Sequence, residues 1–180
     1  MPFVFRTGTA VQALKDHSIE FVGLKDGLHD FRFTLDDAFF AAAADEELHG
    51  GSCTVDVKLD KNPNLLVADL HIAGTVRMDC DHCNAPLDQP VDGRLRQVYH
   101  LNGRQRFDGD DDVIGLDPAD HAIQLSHPIY ECLRLALPAR RVHAPGGCDP
   151  AVDAILNDQH TGPAGNDPRW SALNALKDNR

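Results

Sequence analysis

Strict alternation of apolar and polar residues is the feature of this sequence that most limits its fold. In SCTVDVKLDK, residues 52–61, every second residue is apolar: Cys53, Val55, Val57 and Leu59. A side-chain period of two is typical of a β-strand that buries one face. The segments around Phe31 and Leu70 repeat it, and the turn sequence KNPN separates the strand at 52–61 from the one around Leu70. These last two segments therefore form a predicted β-hairpin.

Helix-forming segments dominate the last third of the chain. HPIYECLRLALP has Pro128 in its first turn, apolar residues at helical spacing and Pro138 as its end. CDPAVDAIL and NDPRWSALNALK each open with an aspartate cap followed by proline, with Asp149 and Asp167 as the caps. Because the connections between strands are too short for helical crossovers, the strands should pair antiparallel. The predicted class is α+β, with an antiparallel β-sheet or partly open barrel from the first two thirds and short helices mainly C-terminal.

The same patterns predict the domain organisation. Residues 1–159 should form a single α+β domain that contains a C-x-x-C knuckle and an acidic loop near 107–120. LDDAFFAAAADEELHG, residues 35–50, predicts a short helix within it that closes at Gly50. HTGPAGN, residues 160–166, is a predicted linker, and residues 167–180 form a predicted C-terminal helix.

The charge balance argues against non-specific nucleic-acid binding. The net charge is −11, and Lys and Arg total only 17. Proteins that grip nucleic acid through phosphates normally present a basic patch, because counterion release supplies much of the affinity. Direct contact would therefore need a small local patch or a protein partner. Four arginines at even-numbered positions would lie on the same side of a strand, if that strand runs unbroken, and would form such a patch: Arg94, Arg96, Arg104 and Arg106. We expect any RNA or partner contact there, with solvated arginines opposite a buried face as the alternative.

The compartment follows from three further features. No apolar run reaches the 18 residues of a membrane-spanning helix, so no membrane association is expected. The N-terminal segment lacks a charged region followed by an uninterrupted apolar stretch, and the five cysteines are an odd number. Reduced thiols and a cytoplasmic location are therefore predicted.

The pair Cys80 and Cys83 in MDCDHCNAP admits three interpretations: a metal ligand pair, a redox dithiol, or two neighbouring thiols. Thioredoxin-type chemistry uses a helix N-terminus to lower the pKa of the first thiol. Pro86 and Pro90 follow the pair, which argues against a helix there. A metal site needs two further ligands, and RRVHAPGGCDP offers His143 and Cys148 on either side of a Pro-Gly-Gly turn. The four together predict a structural zinc site, with an unmetallated, reduced cluster as the alternative.

No sequence motif points to an active site. The chain has no G-x-x-x-x-G-K, G-x-S-x-G or H-E-x-x-H motif. Cys53 and Cys132 lie in phase with apolar faces, which favours core positions. The sequence therefore favours a protein that works by binding, and an enzyme that uses the Cys80–Cys83 thiols or their metal is the alternative.

Four segments in this order resemble the YceD family: FVGLKDGLHDFRFTLDDAFF, GTVRMDCDHCNAPLDQPVDG, PIYECLRLALPARRVHAPGGCDP and DPRWSALNALK. Cys80 and Cys83 match the family's C-x-x-C, while His143 and Cys148 match the His and Cys that follow its LP helix end. The resemblance implies a non-enzymatic role in ribosome biogenesis, in the accumulation or processing of large-subunit ribosomal RNA. It implies a large-subunit precursor or ribosomal proteins as partners. An acidic chain suits basic ribosomal proteins at least as well as rRNA.

Overall fold

The computed structural model describes residues 16–101 and 113–160. These residues contain seven strands and three helices. The strands are β1 (Ser18–Glu20), β2 (Gly27–Leu35), β3 (Gly50–Lys61), β4 (Leu65–Asp79), β5 (Pro86–His100), β6 (Val113–Gly115) and β7 (Ala122–Gln124). The helices are α1 (Asp37–Ala43), α2 (Ser126–Ala136) and α3 (Pro150–His160).

The main sheet has five strands in the order β2-β3-β4-β5-β6. Its neighbours pair antiparallel except for β6, which runs parallel to β5. Strands β1 and β7 form a separate antiparallel pair. The predicted hairpin is confirmed, since β3 and β4 pair along their whole lengths from Gly50↔Arg77 to Lys61↔Leu66. The α+β class is confirmed as well, with an open sheet.

The two faces of the main sheet differ in chemistry. Its inner face carries the apolar residues of the alternating strands, and α1 and α2 pack against it. Val55, Leu59 and Ile72 are fully buried there, as is Ile129 of α2. The outer face carries the polar residues that alternate with them. An antiparallel sheet commonly keeps one face on the core and one in water, which explains the alternation in the sequence.

The predicted helix over 35–50 is wrong in its extent. Helix α1 begins after Asp36, whose carboxylate accepts the N–H of Ala38 and Phe39, and it ends at Ala43. Ala44 takes the left-handed conformation, with φ 51°. The Asp45 carboxylate then accepts the N–H of Glu47 and so favours a turn over another helical turn. Gly50 lies in β3 and does not close the helix.

Two C-terminal helix predictions are confirmed. Helix α2 has Pro128 in its first turn and ends before Pro138. Helix α3 starts at Pro150, and the Asp149 carboxylate accepts the N–H of Ala151 at 2.9 Å as its cap. The predicted cap Asp167 and the predicted helix over 167–180 lie outside the described residues, as does the predicted linker apart from its first residue.

The chain divides into two compact units, Met1–Val142 and His143–Arg180. The first unit contains the strands, α1 and α2, and the second contains α3. Within the part of the chain that is described, no helix is long and apolar enough to cross a bilayer.

Gly93 on the inner face of β5 should not tolerate a side chain. A Cβ there would lie 2.6 Å from the Ala136 Cβ and 3.2 Å from the Cys132 carbonyl oxygen, so α2 would have to move. We expect Gly93→Ala to lower the free energy of unfolding by about 1–3 kcal/mol. Denaturant unfolding measures this, with Gly23→Ala as the control, since a Cβ at Gly23 meets no heavy atom within 4 Å. Equal stability of the two variants would contradict the packing of α2 on β5.

Candidate metal centre

A tight turn between β4 and β5 carries the first two cysteines. The Cys80 N–H donates to the Ala85 carbonyl and the Asn84 N–H donates to the Cys80 carbonyl, both at 2.9 Å. Asn84 is left-handed, with φ 56°, a conformation that asparagine tolerates well. Cys80 is 2% exposed and Cys83 is half-buried. Because β5 and not a helix follows the turn, no helix N-terminus begins at this pair.

A second turn, in the unit that begins at His143, brings His143 and Cys148 together. The Cys148 Sγ lies 3.7 Å from the His143 Nδ1. The Gly147 N–H donates to the Ala144 carbonyl at 2.8 Å, and Gly146 has a φ of 82°, which favours glycine. The Pro-Gly-Gly sequence therefore folds the chain so that an imidazole and a thiol converge.

Arg141 fastens the end of the first unit to the cysteine turn. The Asp81 N–H donates to the Arg141 carbonyl at 2.8 Å, and the Arg141 N–H donates to the Asp81 Oδ2 at 2.7 Å. The guanidinium adds a contact of 3.1 Å to the Asp81 Oδ1. The Arg141 N–H and then the guanidinium lower the pKa of the Asp81 carboxyl. His143 follows Arg141 by two residues, which span at most about 7 Å of extended chain.

An ionic network holds Arg141 from the other side. The Glu47 Oε2 accepts from Arg134 Nη1 and from Arg141 Nη1, each at 2.9 Å, and hydrogen bonds from Arg134 and then Arg141 lower the pKa of Glu47. Asp45 accepts from the Tyr130 hydroxyl at 2.5 Å and from Arg134 at 3.1 Å. Burial, followed by this bond to Asp45, raises the pKa of Tyr130 to about 12. The network ties α2 to the loop after α1 and to the chain that leads into His143.

The four predicted ligands are divided between the two compact units, with Cys80 and Cys83 in the first and His143 and Cys148 in the second. Three sulfurs and one imidazole nitrogen are a donor set of structural zinc sites, with Zn–S bonds of about 2.3 Å. Soft thiolate ligands select zinc over magnesium or calcium. The chemistry of the donor set therefore fits zinc.

The remaining two cysteines are core residues, which confirms the prediction made from their phase. Cys53 and Cys132 are each 2% exposed. Burial raises the pKa of Cys53, and it raises the pKa of Cys132 to about 11. Neither thiol is suited to be a nucleophile near neutral pH.

The arginines chosen from the sequence are only partly described. Arg94 and Arg96 are exposed and lie on the outer face of β5, whereas Arg104 and Arg106 lie outside the described residues. Arg96 donates two hydrogen bonds to the Asp69 carboxylate, at 2.6 and 3.1 Å, and this pairing raises the pKa of Arg96. Strand β5 ends at His100, so the described strand carries two of the four.

Sequence reasoning missed Asp81 and Arg141, the two residues that fasten the chain beside the first cysteine pair. They are 60 residues apart in the chain. Asp81 lies within the C-x-x-C motif and Arg141 lies just before the H-x-x-x-x-C segment. The available sequence signal was a pair of opposite charges, one beside each half of the candidate site. Charged residues in such positions are usually just solvated, so the signal is weak.

Comparison with known proteins finds one family. A family model described as "Large ribosomal RNA subunit accumulation protein YceD" matches residues 68–177, which is more than half of the chain and includes both cysteine-containing turns. Comparison with curated proteins and with solved structures finds no match. The matched range contains β5, α2 and both cysteine-containing turns. The chain therefore belongs to the YceD family of large ribosomal RNA subunit accumulation proteins.

Proposed function

We propose that this protein is a non-enzymatic factor of ribosome biogenesis that supports the accumulation or processing of large-subunit rRNA in the cytoplasm. The match of residues 68–177 to the YceD family carries the proposal, because the family description names that role. The protein acts by binding a ribosomal protein or a large-subunit precursor. Its net charge of −11 supports a basic protein partner, since opposite charges speed and orient association.

One zinc ion, in this proposal, is held by Cys80, Cys83, His143 and Cys148. Two pre-shaped turns support it: the hydrogen-bonded loop at Cys80 and the left-handed glycine turn before Cys148. Four protein ligands complete a tetrahedron and leave no position for a substrate, so the ion is structural. Ligation closes a long stretch of chain, and its free energy contributes directly to folding.

The alternative function is an enzyme that uses the thiols of Cys80 and Cys83. No helix N-terminus begins beside these thiols to lower the pKa of either one. The core thiols have raised pKa values and are inaccessible. A binding role therefore accounts for the thiols better than catalysis does.

We expect the purified protein to carry one zinc per chain, and Cys83→Ser or Cys148→Ser to lose it. Because ligation contributes to folding, both variants should also unfold at a lower temperature than the zinc-loaded protein. Elemental mass spectrometry of the purified chains measures the metal. Cys132→Ala is the matched control: it removes a core thiol and should keep the zinc even where it lowers stability. Retention of zinc in both ligand variants would contradict the four-ligand site.

Removal of the gene should lower the ratio of large-subunit to small-subunit rRNA, and the wild-type chain should restore it. Cys83→His separates structure from thiol chemistry, because histidine can replace cysteine as a zinc ligand but not as a thiol nucleophile. We expect this variant to restore the rRNA ratio to the extent that it keeps zinc and folds. An unchanged ratio after gene removal would refute the proposed role. A zinc-loaded, folded Cys83→His chain without rescue would favour the enzyme.

The arginines Arg94, Arg96, Arg104 and Arg106 are the proposed contact for RNA or a partner. The described pair supports this in part: both side chains are exposed on the outer face of β5, but Asp69 already engages Arg96. Arg94 has no ion pair with any residue that the structure describes. Arg94 is therefore the better candidate of the two.

A further inference from the structure

Strand β2 is a long open edge of the main sheet. It is nine residues long and stands last in the strand order, with β3 as its neighbour. The opposite edge is β6, which has only three residues. Within the part of the chain that is described, no hydrogen bond joins the β2 backbone to a residue outside β3. One side of β2 therefore presents unpaired N–H and C=O groups, which are a template for pairing with another strand.

Three of the features that commonly protect a sheet edge do not occur in β2. Protected edges are often very short, or they contain a proline or a β-bulge. Strand β2 has no proline, and its register against β3 runs without interruption from Gly27↔Lys61 to Leu35↔Cys53. The edge is therefore straight and long enough to accept a strand along its whole length.

The inner face of the sheet is incomplete at this edge. Phe31, Val57 and Leu70 form one row across β2, β3 and β4. Val57 and Leu70 are 1% and 2% exposed, whereas Phe31 is only half-buried. Phe33, two residues further along β2, is half-buried as well. A further strand beside β2 would shield both aromatic side chains, and cross-strand aromatic pairs stabilise a sheet.

The charges on β2 select the strand that can pair there. Asp30 and Arg32 are exposed on the outer face and carry opposite signs two residues apart. An antiparallel copy of β2 with Phe31 opposite Phe31 places Asp30 opposite Arg32 of the second copy. Two-fold symmetry makes this contact twice. Opposite charges at directly facing positions stabilise a strand pair, so β2 is complementary to itself.

The same two residues disfavour the neighbouring registers. Because side chains alternate along a strand, a shifted pairing that keeps the core face aligned moves by two residues. Such a shift puts Asp30 opposite Asp30 in one direction and Arg32 opposite Arg32 in the other. Like charges at facing positions destabilise a strand pair. The register centred on Phe31 avoids both and pairs all nine residues of β2.

The register centred on Phe31 also continues the charge pattern of the outer face. Asp30 lies beside Lys58 of β3, and Arg32 lies beside Asp56, with 2.6 Å between the Arg32 Nε and the Asp56 Oδ1. Across the two copies the order becomes Lys58, Asp30, Arg32 and Asp56, with alternating signs. Charged side chains on an edge usually keep other strands away. Here the alternation admits a second copy of the same strand.

We propose that this protein forms a homodimer in which β2 pairs antiparallel with β2 of a second copy, about a two-fold axis at Phe31. The two main sheets join into one continuous sheet. One pair of nine-residue strands is a small interface, so the dimer forms in a concentration-dependent way and is not obligate. The dimer goes beyond the proposed function and does not rest on it.

Charge reversal in the full-length chain tests the pairing. Asp30→Arg places the new arginine opposite Arg32 of the second copy, and Arg32→Asp places two carboxylates opposite each other. We expect each variant alone to raise the dimer dissociation constant at least about tenfold in analytical ultracentrifugation, because facing like charges repel. An equal mixture of the two variants should restore dimers, since each chain then supplies the charge that the other lacks.

Asp69→Arg and Arg96→Asp are the matched controls. Arg96 and Asp69 form the same 2.6 Å contact as Arg32 and Asp56 on the same face, but on β4 and β5, away from the β2 edge. Both controls should dimerise like the wild type, and unfolding temperatures identify any variant that does not fold. A wild-type chain that is monomeric at every concentration would overturn the proposal. Folded variants at 30 and 32 that keep the wild-type constant would overturn it too, as would a mixture that stays monomeric.

A crosslink tests the register without any change of charge. Phe31→Cys places its thiol opposite its own copy, at a Cα separation of about 4.5–5.5 Å, which a disulfide spans. Phe33→Cys is the control, because four residues, or about 14 Å along the strand, separate position 33 from its own copy. Under mild oxidation Phe31→Cys should give a covalent dimer linked through position 31 on both sides, as mass spectrometry of its peptides shows. No more dimer than with Phe33→Cys or the wild-type chain would overturn the proposed pairing.

Discussion

The register of β4 against its neighbours β3 and β5 is the constraint on which the rest of the structure depends. Because side chains alternate along a strand, a slip of one residue would turn Leu70 and Ile72 outward and His71 inward. The same register places Cys80 directly after the end of β4 and aligns charges across the outer face. The bonds between Cys80, Asn84 and Ala85 fix the turn and therefore help to fix the register.

The contact between Asp81 and Arg141 has a comparable role for the candidate metal centre. Exposed ion pairs alone contribute little to stability. Here two backbone N–H groups also donate, so the chain and not only the side chain is held. Glu47 engages the same guanidinium from the loop after α1. The chain that leads to His143 therefore starts from an anchored residue, Arg141. This anchoring would reduce the loss of conformational entropy when His143 ligates a metal.

Local patterns predicted much of this fold, and long-range relations account for what they missed. Period-two alternation identified the long strands, and an aspartate followed by proline identified the start of α3 at Pro150. The helix over 35–50 was predicted too long because the turn after Ala44 is favoured by the Asp45 carboxylate, which also binds Tyr130 85 residues away. For the candidate site, residue types and spacing identified both cysteine-containing turns. The ion pairs across the outer face, Arg32 with Asp56 and Arg96 with Asp69, could not be found that way, since periodicity gives the face of each residue but not its neighbour across strands.

The long strands also separate the cysteine turn at Cys80 from the charged residues of the outer face. His71 on the outer face of β4 and Cys80, the residue that follows β4, are nine residues apart, a span of about 30 Å at the rise of a β-strand. Residues that far apart without shared partners usually contribute independently to stability. The core lies on the opposite face of the sheet, so charges on the outer face can differ without repacking the core. A sheet with one buried and one open face can therefore keep its fold constant while the charges on its outer face vary.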